Sequence, residues 1–381
     1  MVISLKDAFK LSGVTIISFC AVFVCTFFIS YYMDAAAIAD KITDPQAQAL
    51  YDAQMATATF VSCLCGGFLG LIAVVTLAFY INLYIRRNAY ALGLFKALGY
   101  PNARIACAFW VFGLSVLLGA ALGFGCGYAF APAVYDALTI GALPRIEVSF
   151  HPELLVLLVI LPAAVFSALS VACAFFALRR PTLELMRGKS ERVKAVKRVR
   201  ADRERGFLAE VFIKTTFGRK GIAFFVAFAC FCFSAMVQMG ASTLELDTGY
   251  MMGAIMLIIG VVLAVTVLIM ATTTLVNSNA KNVAMMKTFG YNTRECVFAV
   301  LGGFHIYALI GFAVGTAYQY GLMTLMVNIV FKDVAMMPDY SFNAPVMLIT
   351  FAAFIVFYEA CTFAFGYALS KVPLKAVMLE N

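Results

Sequence analysis

The chain has 381 residues, of which 64% are hydrophobic and 13% are charged, and its mean hydropathy is +0.95. An average soluble protein carries roughly twice that share of charged residues, so the composition excludes a water-soluble globule. The net charge of +8 does not indicate nucleic acid as a partner, because a basic face beside anionic lipid accounts for it. The sequence is therefore that of a membrane protein.

Eight runs of about twenty or more apolar residues are each long enough to cross a bilayer as a helix. In chain order they lie at Gly13–Tyr32, Thr57–Ile85, Ile105–Phe130, Leu154–Leu178, Gly221–Gly240, Tyr250–Val276, Val297–Val327 and Val346–Leu369. A transmembrane barrel is excluded because its strands alternate between lipid-facing and lumen-facing residues, whereas these runs are apolar on every side. The predicted fold class is all-α, a polytopic membrane protein with eight transmembrane helices.

The positive charges indicate how the helices are oriented. If the N-terminus lies inside, all but three of the 28 lysines and arginines fall in cytosolic segments, and only Lys41, Arg145 and Lys332 lie outside. An excess of cations in cytosolic loops is the rule for membrane proteins. We therefore expect both termini to be cytosolic.

The chain is an internal duplication. With an offset of 191 residues, Asn88–Tyr100 and Asn279–Tyr291 are identical at five of thirteen positions, and Ala177–Arg180 falls on Ala368–Lys371 without a gap. Each half then holds one leading helix followed by a three-helix unit, and an even number of spans gives both halves the same orientation. The predicted architecture is two tandem 1+3 helix repeats.

The repeat also sets the expected domain boundaries. Residues 1–185 form the first transmembrane half, with its three-helix unit at 57–185, and residues 221–381 form the second half, with its unit at 250–377. A basic cytosolic linker, 186–220, joins them. The mixed-charge stretch Ser190–Arg205 in this linker is compatible with a helix or a disordered tether.

A short amphipathic segment follows the second helix of each unit. Its apolar residues recur at spacing three, at Leu92, Phe95 and Leu98 in the first copy and at Val283, Met286 and Phe289 in the second. This spacing predicts a short helix with one apolar flank, and Gly99 and Gly290 follow where a helix end commonly needs a left-handed residue. Such a helix could simply turn the chain around at the interface, but its matched repetition favours two docking sites for a symmetric cytosolic partner.

These residues resemble a known family. A long span, a basic exit, and an amphipathic segment that ends in Lys-Ala-Leu-Gly-Tyr or Lys-Thr-Phe-Gly-Tyr are similar to the FtsX-like permease domain of MacB-type (type VII) ABC transporters. The resemblance covers Thr57–Leu185 and Tyr250–Val377. Two such units in one chain resemble the permeases of bacitracin-type peptide-resistance exporters, in which one permease serves two ATPase copies.

The resemblance implies a permease subunit in a bacterial cell membrane, driven by a separate cytosolic ABC ATPase that binds ATP and magnesium. In the family, the segment after the second helix of each unit contacts the ATPase. The residues that the resemblance assigns to coupling are Asn88, Leu92, Phe95, Lys96, Leu98, Gly99, Tyr100, Asn279, Val283, Met286, Lys287, Phe289, Gly290 and Tyr291.

This sequence departs from the family by lacking a large extracytoplasmic domain, since the longest outside segments, Met33–Ala56 and Ala131–Glu153, hold only some two dozen residues. A membrane-embedded cargo such as a lipid or hydrophobic peptide, or a separate accessory protein outside, suits so small an exterior. Two alternatives remain open: a transmembrane regulator that passes ATPase motion to an extracytoplasmic partner, and an ATP-independent transporter.

The chain is not expected to be an enzyme. Its nearest match to a phosphate-binding loop, Gly188-Lys189-Ser190, has Leu183 where the first glycine is required. His151 and His305 are the only histidines, and neither a zinc-binding helix motif nor a serine nucleophile turn occurs. We therefore predict no catalytic residue, no metal and no cofactor in this chain.

Two further features lie within the predicted spans. Small-residue stripes in the third and seventh spans predict close helix packing; they consist of Gly119, Gly123 and Gly127, and of Gly311 and Gly315. Glu359 is the only acidic residue within the predicted hydrocarbon and lies near the middle of the eighth span. It is either a protonated carboxyl bonded within the bundle or a residue of the substrate pathway. The candidate hydrogen-bond partners are Tyr358, Gln319 and His305.

Overall fold

The structure is a computed structural model that describes residues 12–38, 45–138, 146–179, 207–218, 220–245, 250–325, 327–328 and 342–371. Its principal helices, in chain order, are α1 (Ser12–Ala36), α2 (Pro45–Arg87), α3 (Ala89–Ala97), α4 (Asn102–Cys107), α5 (Val111–Leu138), α6 (Pro152–Leu155), α7 (Leu161–Ala177), α8 (Phe207–Gly218), α9 (Lys220–Glu245), α10 (Tyr250–Ser278), α11 (Ala280–Thr288), α12 (Thr293–Leu301), α13 (Phe304–Leu325) and α14 (Ala344–Lys371). A 3₁₀ turn, Ala108–Trp110, joins α4 to α5. No strand occurs among the described residues, in agreement with the predicted all-α class.

Seven of the eight predicted spans coincide with helices long and apolar enough to cross a membrane. These helices are Gly13–Ala36, Asn102–Ala133, Pro152–Ala177, Lys220–Ser242, Leu257–Val276, Phe304–Leu325 and Ala344–Ala364. The predicted span Thr57–Ile85 lies within α2. In this helix, the stretch Gly70–Ile85 passes the same test only together with α3, from which it is bent by 68°.

The helices fall into two compact units, the first built from α1 to α7 and the second from α8 to α14. In the first unit, α1 lies against α2 and α5, and α7 closes the bundle against α2, α4 and α5. Large aromatic side chains such as Phe27, Phe109 and Phe112 fill its interior and are fully buried. Burial of such side chains against neighbouring helices fixes how the helices pack.

A π-helical turn, Val156–Ile160, separates α6 from α7. Pro162 at the start of α7 has no N–H, so the carbonyl one turn earlier loses its α-helical partner. The helix widens there instead of breaking, and Pro152–Ala177 continues as one span.

In the second unit, α9 packs on α14, and α8 packs on α12. A buried polar cluster links α9 to α13: the Gln238 amide donates to Ser234 Oγ and to Thr316 Oγ1, at 2.9 Å each. Such hydrogen bonds join helices where no water competes. α8 occupies the last part of the segment predicted to be a linker. The rest of that segment, including Ser190–Arg205, lies outside the described residues.

The segment Met33–Ala56, which is expected to be an outside loop, is partly helical, because α2 already begins at Pro45. At 43 residues, α2 is about 65 Å long, roughly twice the hydrocarbon thickness. The Tyr31 hydroxyl donates to Gln54 Oε1 at 2.6 Å, which fixes this extension against α1. The start of α2 therefore packs against the end of α1.

A buried carboxylate organises the same end of the first unit. Asp34 at the end of α1 is 2% exposed, and its oxygens lie 2.9 Å from His151 Nε2 and 3.1 Å from the Tyr135 hydroxyl. The Ser149 N–H also donates to it. Burial raises the pKa of Tyr135, so its hydroxyl remains a donor. Asp34 thus joins α1, α5 and the segment before α6.

Candidate functional site

The repeated amphipathic segments form two nine-residue helices, α3 and α11, which we call the coupling helices after the role that the sequence predicts for them. Each follows the last turn of a long helix and begins after an asparagine, Asn88 or Asn279, with φ near −100° in both copies. The Asn88 amide donates to Tyr84 O at 3.0 Å, and the Asn279 amide donates to Leu275 O at 2.9 Å. The equivalent asparagines therefore make the same side-chain bond to the last turn of the long helix, and in the first copy the Asn88 N–H donates to the same Tyr84 carbonyl.

Both coupling helices end in the same hydrogen-bonded turn. In the first, Tyr100 N–H donates to Phe95 O and Gly99 N–H donates to Lys96 O, at 3.2 Å each. The second copy repeats this pair of bonds at Tyr291 and Gly290. This is a Schellman motif, which needs a left-handed residue after the helix.

The left-handed conformation predicted for the two glycines is confirmed, with φ values of +89° at Gly99 and +86° at Gly290. A residue with a Cβ would be strained there by about 1–2 kcal/mol. In the first copy, the Tyr100 ring also packs edge-on against Phe95, at 5.9 Å between centroids. The turn therefore fixes the direction in which the chain leaves each coupling helix.

The spacing of three predicts one apolar flank on each coupling helix, but the last residue of each series, Leu98 or Phe289, is exposed, whereas the first, Leu92 or Val283, is buried. Leu92 and Val283 are buried in their own units, as are Met286 and Asn279. These buried side chains hold the coupling helix against its own unit and are not available to a partner. Residues three apart are separated by about 300° around a helix, so a series of them drifts from the buried side to the exposed side.

The exposed apolar surface consists instead of pairs four residues apart. Leu94 and Leu98 are 44% and 68% exposed, and the equivalent Met285 and Phe289 are also 44% and 68% exposed. Residues at i and i+4 lie next to each other on a helix. The predicted set included Leu98 and Phe289 but missed Leu94, Met285 and the exposed Tyr90. The signal in the sequence that could have found Leu94 and Met285 is their spacing of four from Leu98 and Phe289.

Lys96 points into its own unit. Its ammonium donates to the Leu178 carbonyl at 3.0 Å, at the C-terminal end of α7. A cation at a helix C-terminus binds carbonyls without intrahelical partners and interacts favourably with the helix dipole. Lys96 thus connects the first coupling helix to the last span of the unit. Lys287 occupies the equivalent position and is half-buried.

The glycine stripes lie against the leading helix of each unit. A Cβ on Gly119 or Gly123 would lie 2.3 or 2.4 Å from the carbonyl oxygen of Thr15 or Phe19 on α1. A Cβ on Gly311 or Gly315 would similarly lie 2.1 or 2.6 Å from the Ala227 or Phe231 carbonyl oxygen on α9. Gly127 lies against Thr26. Both units therefore bring two backbones into close contact at glycine.

Glu359 forms a pair with His305. His305 Nε2 lies 2.6 Å from Glu359 Oε1, and His305 Nδ1 lies 2.9 Å from the Gly302 carbonyl oxygen. The two side chains are 34% and 54% exposed, so the pair lies at the surface of the second unit. Of the three partners considered for Glu359, His305 is the one that binds it, while the Gln319 amide donates to Ser242.

Glu359 is the sixteenth of the 28 residues of α14, Ala344–Lys371. His305 is the second residue of α13, which follows α12 after a two-residue break at Gly302 and Gly303. The pair therefore joins the start of α13 to the middle part of α14.

Among the described residues, no group of three or more histidine, cysteine, aspartate and glutamate side chains could hold a metal ion. The candidate functional features described above are the two coupling helices, the glycine contacts and the His305–Glu359 pair.

The fold and these paired sites define a multi-pass membrane protein built from two related units. The sequence model of the FtsX-like permease C-terminal family matches it twice, at residues 60–182 and 254–374, about two thirds of the chain. The chain therefore belongs to the FtsX-like permease family. No curated protein and no solved structure gave a significant match.

Membership in this family identifies the chain as a membrane permease component of the ABC-transporter type. Such permeases are generally non-catalytic membrane subunits and generally work with an ABC ATPase partner.

Proposed function

We propose that this protein is the permease subunit of a MacB-type ABC transporter and that its two coupling helices bind two copies of a cytosolic ATPase. ATP hydrolysis in the partner then drives movement of a substrate across or out of the membrane. The observation that carries the proposal is the repetition of one exposed apolar pair, Leu94 and Leu98 or Met285 and Phe289, with equal exposure in both copies.

The surroundings of these pairs support a docking role. Large apolar side chains at a rigid, exposed helix end are typical anchors of a protein interface. Each pair is followed by a Schellman turn with a left-handed glycine, which fixes its geometry. In the first copy, the bond from Lys96 to the Leu178 carbonyl gives motion of the coupling helix a direct connection to α7.

Placing photoreactive amino acids on the two faces of a coupling helix tests this proposal. We expect a photoreactive group at position 94, 98, 285 or 289 to cross-link to the ATPase when the two proteins are produced together. The same group at position 92 or 283 should not, because these side chains are buried in their own units. The readout is the mass of the cross-linked species, identified by its peptides.

Cross-links from the exposed positions to lipid alone would contradict docking, since they would show that the apolar pairs lie in the membrane interface. Equal cross-linking from the buried and exposed positions would contradict the assignment of faces.

The orientation and location are part of the proposal. Both termini and both coupling helices lie on the cytosolic side of a bacterial cell membrane, because that side then carries nearly all the lysines and arginines. The small exterior suits a lipid or hydrophobic peptide as the substrate and leaves room for an accessory extracytoplasmic protein. ATP and magnesium belong to the ATPase.

We propose further that Glu359 lies on the substrate or conformational pathway. A half-exposed carboxylate within a span is costly against lipid unless a partner or water satisfies it. His305 supplies the partner, and the 54% exposure of Glu359 leaves its second oxygen accessible. In the first unit, Ala168 occupies the register position of Glu359, so the pair is a feature of the second unit alone.

Replacing Glu359 by glutamine keeps the shape and removes the charge. On the pathway hypothesis, Glu359→Gln lowers substrate-stimulated ATPase activity by about threefold to tenfold while expression stays normal. His305→Gln should have a similar effect, and the double variant should be no worse than either, because both act through one contact. Unchanged activity of Glu359→Gln across pH would contradict the pathway role.

A further inference from the structure

An apolar groove opens on the side of the first unit. It has a volume of about 570 Å³ and runs between α7 on one side and α4 with the following 3₁₀ turn on the other. Its lining is almost entirely apolar and includes Trp110, Ala168, Val171, Phe175 and Phe176. The residues of α7 that line it, from Ser167 to Phe176, cover about 14 Å of helix.

The groove lies at membrane depth and opens outward. All the residues that line it belong to the candidate spans Asn102–Ala133 and Pro152–Ala177. Trp110 and Phe176 are 53% and 64% exposed. Tryptophan is enriched where a span meets the membrane–water interface, which agrees with its position near the start of its span. The groove is therefore open to the hydrocarbon of one leaflet.

Two arginines stand at the end of the groove nearest the coupling helix. The Arg179 guanidinium carbon lies 5.3 Å and 4.9 Å from the ring centroids of Phe175 and Phe176, which line the groove. The Arg104 guanidinium carbon lies 5.7 Å from the Tyr100 ring centroid. Stacking occupies the face of a guanidinium and leaves the N–H donors on its edge available to an anion.

No carboxylate of the described residues forms an ion pair with either arginine. Both side chains are exposed. The groove therefore combines an apolar channel that opens toward lipid with two arginines at its interfacial end that no carboxylate of the described residues pairs. An anionic phospholipid matches this arrangement, because it has an apolar chain and a negatively charged headgroup.

We propose that the groove binds an anionic phospholipid of the cytosolic leaflet. An acyl chain lies along Val171 and Ala168, and the phosphate accepts hydrogen bonds from Arg179 and Arg104. Arginine binds phosphate oxygens through paired N–H donors. This inference goes beyond the proposed function, because it depends neither on ATPase docking nor on the transported substrate.

The second unit does not have arginines at the positions equivalent to Arg104 and Arg179. At the register positions of Arg104 and Arg179 it has Glu295 and Ser370, and at that of Ala168 it has Glu359. The arginines are thus not required by the fold that the two units share. The lipid site belongs to the first unit.

Trp110 lines the groove and is the only tryptophan of the chain, so its fluorescence reports lipid that binds there. The full-length protein is reconstituted in phosphatidylcholine vesicles. One series contains increasing fractions of phosphatidylglycerol with brominated acyl chains, and the other contains increasing fractions of phosphatidylcholine with brominated acyl chains. Bromine quenches tryptophan fluorescence at short range. We expect the relative association constant from quenching to favour the brominated phosphatidylglycerol by about 25-fold, or about fivefold per arginine.

Variants of the two arginines separate the lipid site from general surface charge. Arg104→Gln and Arg179→Gln together should bring the preference close to one, whereas Arg179→Lys should keep most of it. The matched control is Arg86→Gln with Arg87→Gln, which removes two cations at the end of α2 and should leave the preference unchanged.

Equal quenching by both brominated lipids in the wild-type protein would overturn the proposal, as would no quenching by either. A preference that survives the double arginine variant, or that is lost equally in the Arg86 and Arg87 control, would show that general surface charge attracts the lipid and would also overturn it.

Discussion

Replacing Gly123 and Gly311 by alanine in one chain should strongly destabilise the protein. A Cβ at these positions would lie 2.4 Å from the Phe19 carbonyl oxygen and 2.1 Å from the Ala227 carbonyl oxygen. Both neighbours are backbone atoms that cannot rotate away, so the helices must separate along α1 and α9. Overpacking of this kind costs about 1–3 kcal/mol per site, and in a membrane the lost close contact is the main attraction between such helices.

The chain supplies matched controls on the same helices. A methyl group added at Gly125 on α5 or at Gly321 on α13 would have no atom within 4 Å. The same glycine-to-alanine change there should be neutral or stabilise by about 0.5–1 kcal/mol through helix propensity. Thermal unfolding in detergent, followed by circular dichroism, measures both pairs of variants. Equal melting temperatures for the two pairs would contradict the close approach at Gly123 and Gly311.

These glycines show how far the sequence predicts packing. Their spacing of four marks a smooth stripe on one helix face, and such a stripe predicts close approach without naming the neighbour. The structure supplies the neighbour, which is the leading helix in both units. The choice among several apolar helices depends on side-chain fit across the whole bundle, which no local pattern contains.

The coupling helices were predicted more fully, because their signals are local. A repeated motif of thirteen residues located both helices, and the left-handed glycines follow from how a helix ends. The prediction placed Leu92, Phe95 and Leu98 on one apolar flank and did not say which of them are exposed. Packing against the other helices of the unit determines that Leu92 is buried while Leu94 is exposed.

Pairs distant in sequence were predicted only in part: His305 was one of three candidate partners for Glu359, and no partner was predicted for Asp34. His151 and Asp34 are 117 residues apart, and His305 and Glu359 are 54 residues apart. A buried or intramembrane carboxylate predicts that some partner exists, and the two histidines were visible as rare residues. The pairing itself is a consequence of which helices become neighbours.

The second large effect is expected from Leu98→Asp combined with Phe289→Asp. Each change removes the most exposed apolar side chain of a coupling helix, 68% exposed in both cases, and introduces a charge in its place. Loss of a central apolar anchor costs about 2 kcal/mol or more at an interface, roughly 30-fold in affinity per site. Co-purification of the ATPase should therefore fall to background while membrane insertion is unchanged.

Conservative and remote variants control for misfolding. Leu98→Met with Phe289→Met keeps an apolar anchor and should retain the ATPase. Phe217→Asp places a charge on another exposed aromatic position, 56% exposed on α8, and should also retain it. Loss of the ATPase from either control would indicate a general effect of mutation and would remove the argument for the coupling helices.

The central claim is that each of the two coupling helices holds one ATPase subunit, and native mass spectrometry of the co-expressed complex tests it most directly. We expect two ATPase subunits per permease chain for the wild type, one for Leu98→Asp alone, one for Phe289→Asp alone, and none for the double variant. A double variant that still carries two ATPase subunits would contradict the claim.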